Sequence, residues 1–172
     1  MKTRLVLGAI LIALTTTGSD CINDGFLVSV NIEGLSGTYA INAGPTLSFN
    51  ESATVPSSTY LNADFGSYEG VRIYDVQVHT VGTYGGNATG TVNVNGSPAL
   101  SFNGSWAAFN TPQSILNSNL ITRNPAGVTT LINAILQGQD VTLQAVGSVS
   151  QGPVPSGLSI VVDILAQVDA QP

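Results

Sequence analysis

A strict two-residue alternation near the C-terminus constrains the fold of this chain more than any other feature. From Leu158 to Val168 every even-numbered residue is apolar, whereas the odd-numbered residues are mostly polar. Side chains of a β-strand point alternately to the two faces of its sheet, so this segment predicts a strand with one buried face. The even-numbered residues are expected in the core. Asp163 is expected to point outward, because an unpaired carboxylate is costly to bury.

Several other segments are predicted strands. The Asn95-Gly96 pair between two of them predicts a tight hairpin. In Val71–Val81 the apolar phase shifts near Asp75, which predicts a bulge or a switch between sheets. We expect the last two strands to pair as an antiparallel hairpin across the breaker-rich segment 150–157. The predicted strands are Phe26–Ile32, Thr38–Ile41, Thr46–Thr54, Val71–Val81, Thr91–Val94, Ala99–Asn103, Val141–Val149 and Leu158–Gln167.

One segment, Pro125–Gln137, has helical periodicity. Asn124 is its predicted N-cap, Pro125 suits the first turn, and Gly138 is predicted to end it. With about seven to nine strands and turn signals between them, the chain is predicted to be mostly β. We expect a single antiparallel β-sandwich domain over residues 21–172, with one short amphipathic helix near 125–137. The helix's apolar stripe recurs at i, i+3, i+4, i+7 and i+8 and consists of Val128, Leu131, Ile132, Ile135 and Leu136.

The stretch LINAILQGQDVTLQAVGSVSQGPVPSGLSIVVDILAQVDA, residues 131–170, covers about a quarter of the chain. Its order of helix and strands resembles the C-terminal part of uncharacterised bacterial cell-envelope lipoproteins. The resemblance implies an immunoglobulin-like β-sandwich and a location in the cell envelope. It implies no activity and no cofactor.

The N-terminus has the layout of an export signal. Lys2 and Arg4 precede the apolar run Leu5–Leu14, and small polar residues follow as far as Ser19. This order is typical of a secretory signal peptide, and the run is shorter than the roughly 20 residues that cross a bilayer. We therefore expect residues 1–20 to be a signal peptide and the protein to be exported, to the periplasm or the cell surface.

Cys21 directly follows this signal and is the predicted lipidation site. Acyl chains on its thiol would hold the protein at a membrane surface. The pattern expected at a lipidated cysteine has an aliphatic residue three positions before it and a small residue directly before it, and this chain has Gly18 and Asp20 there. Two alternatives therefore stay open: cleavage between Gly18 and Ser19, which gives a free secreted protein, and an uncleaved anchor. Cys21 is the only cysteine, so the fold has no internal disulfide.

Composition excludes one large class of partner. The chain has four basic and ten acidic residues, of which residues 1–20 hold two basic and one acidic. The rest therefore has Arg72 and Arg123 against nine acidic residues. A chain so poor in cations cannot neutralise a phosphate backbone, so nucleic acid is not an expected partner. Charged residues make up 8% of the chain, so its surface must be largely Ser, Thr, Asn, Gln and Gly.

The titratable residues form no catalytic pattern. His79 is the only histidine and lies within a predicted strand, and no Gly-x-Ser-x-Gly elbow accompanies it. One histidine and one cysteine cannot make a catalytic zinc site. The carboxylates stand in no glycosidase-like motif with aromatic platforms. We therefore predict no catalytic residues, no cofactor and no bound metal.

Three local features leave binding alternatives open. Residues Asn62–Glu69 cluster oxygen ligands that suit calcium, although their spacing fits no EF-hand. Trp106, with Phe102 and Phe109 nearby, is predicted to be a core residue, the alternative being a ligand-facing aromatic patch. Asn-x-Ser/Thr sequons, which are acceptors in a host that glycosylates, occur at Asn50, Asn87, Asn95 and Asn103.

These patterns favour a non-enzymatic envelope or surface protein, tethered through Cys21, that acts as a structural or protein-interaction module. One alternative is a carrier of small molecules or lipid, with an apolar cavity between the sheets roofed by the helix. Val161 and Leu165, apolar residues on the nominally outer face of the last strand, favour this carrier slightly. Another is a self-assembling filament subunit, in which Phe26–Ile32 pairs with a second molecule.

We predict that Cys21 carries the membrane anchor. In cells grown with radioactive palmitate, the protein should become labelled, and after extraction it should partition into the detergent phase. Cys21→Ala should abolish both properties because the acylated thiol is lost. Soluble wild-type protein whose N-terminus is Ser19 would contradict this prediction.

Overall fold

The chain folds into two antiparallel β-sheets stacked face to face, with one α-helix packed across them, in a computed structural model that describes residues 28–32, 34–60 and 67–171. The predicted β-sandwich with a single helix is confirmed. Sheet 1 consists of β1 (Val28–Ile32), β2 (Ser36–Ile41), β4 (Ser67–Val81), β7 (Gln113–Ser114) and β10 (Leu158–Gln171). Sheet 2 consists of β3 (Ser48–Val55), β5 (Asn87–Val94), β6 (Ser97–Ser105), β8 (Ile121–Arg123) and β9 (Val141–Val149).

The order of the strands is that of a jelly roll. In sheet 1, β10 pairs with β4 on one side and with both β1 and β2 on the other, so β1 and β2 form one broken edge strand, and β7 lies beyond β4. Sheet 2 has the order β3-β9-β5-β6-β8. In the described part of the chain, β5 and β6 are the only consecutive strands that pair with each other. An immunoglobulin sandwich pairs its first two strands in one sheet, so the immunoglobulin-like part of the prediction is not confirmed.

The predicted hairpin between β9 and β10 is wrong. β9 pairs with β3 and β5 in sheet 2, whereas β10 lies in sheet 1. The segment 150–157 carries the chain from one sheet to the other, and Val154 in its middle is buried and pairs with Gly44. Nearness in sequence favours a hairpin only when the turn is short enough to fix the register. This crossing instead puts the inner faces of the two strands on opposite walls of the same core.

The predicted bulge in β4 is confirmed. The register of β4 against β10 shifts between Ile73 and Asp75, so that Tyr74 is the extra residue. The shift keeps both Ile73 and Val76 packed against the core, while Tyr74 projects to solvent with 49% of its surface exposed. The bulge therefore turns one aromatic side chain out of sheet 1 beside two core residues.

Both termini of the helix α1 (Pro125–Leu136) have the caps that the sequence predicts. The Asn124 side chain accepts a hydrogen bond from the Ala126 N–H at 3.0 Å, and Gly138 has a φ of +63° after the last turn. α1 contacts β5 and β6 of sheet 2 and β4 of sheet 1, so it spans both sheets. It lies so close to β6 that a Cβ atom on Gly127 would meet the Ala99 backbone at 2.5 Å.

Burial in the core follows the predicted alternation. All even-numbered residues of β10 from Leu158 to Val168 are buried, and Asp163 lies on the outer face. Trp106 is fully buried in a 3₁₀ helix, Trp106–Phe109, and its indole N–H donates to the Gly82 carbonyl at 2.9 Å. The predicted core position of Trp106 is confirmed.

The stripe of α1 gives a first stability test. Ile135 is fully buried and Leu136, its neighbour, is 38% exposed. Ile135→Ala should lower the free energy of unfolding by about 2–5 kcal/mol, because it leaves a cavity in the core. Leu136→Ala is the matched control and should cost about 1 kcal/mol or less. Equal losses in urea-induced unfolding would show that the two residues do not differ in burial.

The Tyr39 side chain gives a second test, based on pH. Tyr39 is buried, its hydroxyl has no hydrogen-bond partner among the described residues, and burial raises the pKa of Tyr39 above its usual value. The unfolded chain therefore loses this proton at a lower pH than the folded one. The contribution of Tyr39 to stability is complete below a pH of about 10 and is lost as the pH rises further.

Tyr39→Phe should accordingly flatten the loss of stability above pH of about 10, measured by denaturant unfolding at several pH values. At neutral pH this variant should be as stable as the wild type or more so, because it removes an unpaired buried hydroxyl. Tyr74→Phe changes an exposed tyrosine and is the control. If both variants leave the slope unchanged, Tyr39 is not coupled to unfolding.

Candidate functional site

An apolar cavity of about 220 Å³ lies between the two sheets beneath α1. Val162 and Ile164 of β10 line it from sheet 1, and Val92 and Val94 of β5 line it from sheet 2. Val128 and Leu131 of α1 complete its walls. The sandwich thus contains an apolar space under the helix, the feature that the carrier alternative requires.

Small side chains and the β4 bulge account for this space. Val92, Val94 and Ala99 of sheet 2 all face it, and none of them reaches far from its own backbone. On the other wall, the large side chain of Tyr74 at the bulge points outward and does not fill the space. Core positions that larger residues would fill elsewhere are therefore left open here.

The cavity opens where its lining residues reach solvent. These residues are Tyr74, Leu116 at 70% exposure, and Arg123. Arg123 ends the edge strand β8 in register with the buried Leu100, so it lies on the inner side of sheet 2 at its rim. The mouth therefore combines two exposed apolar side chains with one cation.

Asp75 also lines the cavity, but its carboxylate is already occupied. It is 8% exposed and accepts hydrogen bonds from the Ser114 hydroxyl at 2.7 Å, the Gln77 side chain at 3.0 Å and the Val76 N–H at 2.8 Å. A buried carboxylate with three donors has most of its acceptor capacity satisfied. Asp75 thus joins β4 to β7 and helps to fix this side of the mouth.

The two described arginines differ in their partners. Arg72 lies 3.2 Å from Asp169, and the pKa of Asp169 is lowered by a hydrogen bond from the Ser29 hydroxyl and then by Arg72. Arg123 makes no salt bridge within the ranges that the structure describes. Among the described residues, Arg123 is therefore a cation with no carboxylate within salt-bridge distance, and it lies at the mouth of an apolar cavity.

The outer face of sheet 2 is a second candidate surface. Every outward position of its strands is Ser, Thr, Asn or Gln, apart from Val146 and Pro98. We call this the amide–hydroxyl face, and its outward residues on the three central strands are Asn87, Thr89, Thr91, Asn93, Pro98, Ser101, Asn103, Ser105, Thr142, Gln144, Val146 and Ser148. It carries no charged side chain in the described chain.

Side chains on this face bond to each other across the strands. The Gln144 amide donates to Asn50 at 2.8 Å and accepts from Asn93 at 3.3 Å. The hydroxyl oxygens of Thr54 and Thr142 lie 3.2 Å apart, within hydrogen-bond distance. A shallow groove of about 500 Å³ crosses β9, β5, β6 and β8, with walls that include Thr91, Ser101, Asn103, Asn119, Thr122 and Ser148. The face is therefore ordered and neutral, and it is rich in both donors and acceptors.

The residues singled out in the sequence do not converge on one site. His79 Nδ1 lies 3.6 Å from the Asp163 carboxylate on the outer face of sheet 1, away from the cavity. Val161 and Leu165 also lie on that outer face and do not line the cavity. Of the sequons, Asn50, Asn87 and Asn103 lie on the amide–hydroxyl face, and Asn95 lies in the β5–β6 turn.

Some predicted sites lie outside the described residues. Cys21, the signal peptide and most of the proposed calcium loop are among them. Glu69, the last residue of that loop, lies in β4. Where the structure does describe the chain, no three His, Cys, Asp or Glu side chains come together as metal ligands. No helix of that part has the length and apolarity to cross a bilayer.

Sequence reasoning missed the mouth of the cavity. Arg123, Tyr74 and Leu116 come from three separate segments, and no local pattern links them. One sequence signal could have pointed to the mouth. Arg123 is one of only two arginines outside residues 1–20, and it comes immediately before the N-cap of the predicted helix.

Comparison with known proteins adds little to this geometry. No protein-family model and no curated protein matches the chain. Among solved structures it is similar to a protein of Desmodium yellow mottle tymovirus, with 11% sequence identity, 100% of this chain and 97% of that chain covered, and a TM-score of 0.36. So distant a likeness carries no argument about function.

Proposed function

We propose that this protein is a non-enzymatic exported module, held at a membrane surface through Cys21, that binds neutral glycan chains of the cell envelope. The observation that carries the proposal is the amide–hydroxyl face, which extends without a charge across the five strands of sheet 2. Sugar hydroxyls both donate and accept hydrogen bonds, as do the amides and hydroxyls of this face.

The chemistry of this face favours a glycan over a protein partner. Protein interfaces depend on buried aromatic and arginine anchors, and no such side chain points outward from sheet 2. Charged polymers are disfavoured too, since the face offers no counterion. A neutral polymer can exchange its bonds to water for bonds to Thr91, Ser101 and Asn103 along the groove.

Without an aromatic platform, affinity for a single sugar is expected to be weak. Repeated weak bonds still give firm attachment when many tethered copies meet one long polymer, because later contacts form at high effective concentration. Tethering through Cys21 and binding by sheet 2 would together connect a membrane to the polymer beside it.

Two alternatives stay predictions. A carrier of long-chain lipid needs more space than the 220 Å³ cavity provides. A filament subunit would use the edge of β1 that pairs with no described strand, while its other edge pairs with β10.

The test is co-sedimentation with insoluble neutral polysaccharides such as cellulose or chitin, using the exported chain with Cys21→Ala to keep it soluble. The wild-type face should bind, and the double variant Thr89→Val, Thr91→Val should lose at least about fivefold in affinity, because two hydroxyls at the groove are removed. Binding should change little with salt, since no charges take part.

Thr38→Val, on the outer face of sheet 1, is the matched control. It should bind as the wild type does, and all variants should keep the wild-type melting temperature. An equal loss in Thr38→Val, or full binding by the double variant, would contradict the proposal.

A further inference from the structure

We infer that the cavity under α1 is a binding site for small amphiphilic carboxylates, with the alkyl chain between the sheets and the carboxylate on Arg123. This site is separate from the amide–hydroxyl face and does not depend on the proposed function. Its occupant follows from two independent properties: the size and apolarity of the space, and the charge at its mouth.

The volume limits the length of the chain that can enter. An apolar cavity of roughly 150 Å³ is large enough to take up benzene, so 220 Å³ accommodates a group of about six to eight carbons. The buried walls, among them Val92, Leu131, Val162 and Ile164, offer no hydrogen bond to a polar tail. Water molecules in this space would find few hydrogen-bond partners. Each methylene group of a ligand that is buried there contributes favourably to the free energy of binding.

The charge at the mouth selects the head group. Arg123 is exposed and makes no salt bridge within the described ranges, and its planar guanidinium can bind both oxygens of a carboxylate. The other charged group that lines the cavity is Asp75, and its oxygens already accept three hydrogen bonds. A second anion is therefore held by Arg123, while Ser114 and Gln77 keep the Asp75 carboxylate in place.

Tyr74 and Leu116 complete the entrance. Both are large, and both are exposed at the mouth, at 49% and 70%. An alkyl chain that passes between them covers apolar surface that otherwise faces water. Exposed apolar side chains beside a cation match a molecule with an apolar tail and an anionic head.

The experiment is isothermal titration calorimetry of straight-chain carboxylates from butanoate to dodecanoate, each below its micelle concentration. The protein is the exported chain with Cys21→Ala, so that no attached acyl group competes. Affinity should rise about fourfold with each added methylene and stop rising near octanoate, where the chain fills the cavity. If the affinity continued to rise evenly as far as dodecanoate, the inference would be overturned, because the alkyl chain would then not be limited by the volume of the cavity.

Head-group selection is tested with octanoate, octan-1-ol and octylamine. Arg123→Gln should weaken the binding of octanoate about fivefold and leave the binding of octan-1-ol unchanged. Arg72→Gln alters the other described arginine, which is paired with Asp169, and should change neither. Equal effects of the two substitutions, or tighter binding of octylamine than of octanoate, would overturn the assignment to Arg123.

Occupation of the cavity itself is tested with Val128→Phe, which places a larger side chain in the wall. It should abolish binding of octanoate and octan-1-ol alike, and its melting temperature reports whether the core still forms. If it does not fold, the length series and Arg123→Gln decide the question. The double variant Thr89→Val, Thr91→Val should bind octanoate normally, which separates this site from the glycan proposal. A folded Val128→Phe variant with full binding would overturn the inference.

Discussion

Sheet 1 is organised around β10, whose inner face is apolar at every second residue from Leu158 to Val168. β10 pairs along one edge with β1 and β2 and along the other with β4, so three other strands take their register from it. A slip of one residue would turn the whole apolar row to solvent and Asp163 into the core. The irregularities of the sheet therefore fall on its partners: the break between β1 and β2, and the bulges of β4.

One of those irregularities, the bulge at Tyr74, lies beside the cavity. Because β10 keeps its alternation, β4 must absorb the extra residue, and Tyr74 is turned out of the sheet. Sheet 2 contributes small side chains opposite the bulge, and α1 covers the space between them. The cavity thus lies between the bulged wall of sheet 1 and the small side chains of sheet 2, and the residues at its mouth come from segments far apart in sequence.

Local signals in the sequence were sufficient for most elements. The alternation of β10, the Asn95-Gly96 hairpin and the capped helix at Asn124 were all predictable, because each depends on residues within a few positions of each other. The pairing partners of the strands could not be predicted in this way. Whether β9 pairs with β10 or with β5 depends on the opposite wall of the core, and no local pattern encodes that.

Glycines within strands show the same limit. A glycine in a strand usually indicates a bulge, yet Gly90 and Gly147 lie opposite each other in regular pairing between β5 and β9. A Cβ atom at Gly147 would lie 2.6 Å from the Phe49 ring, and one at Gly90 would lie 2.7 Å from the Phe102 ring. The glycines make room for two aromatic rings beneath them, which only the assembled sheets reveal. The amide–hydroxyl face was foreseeable as a composition, but its concentration on sheet 2 follows from strand order.

The place of β10 in chain order has a consequence for how the protein is made. Its partners β1, β2 and β4 are synthesised first, and Val28 pairs with Ala170 almost at the other end of the described chain. Sheet 1 has no central strand until β10 has left the ribosome, and pairings between such distant residues form slowly. Until β10 has been synthesised, a nascent chain of this topology therefore has no finished core, and its earlier strands wait for the partner that joins them into one sheet.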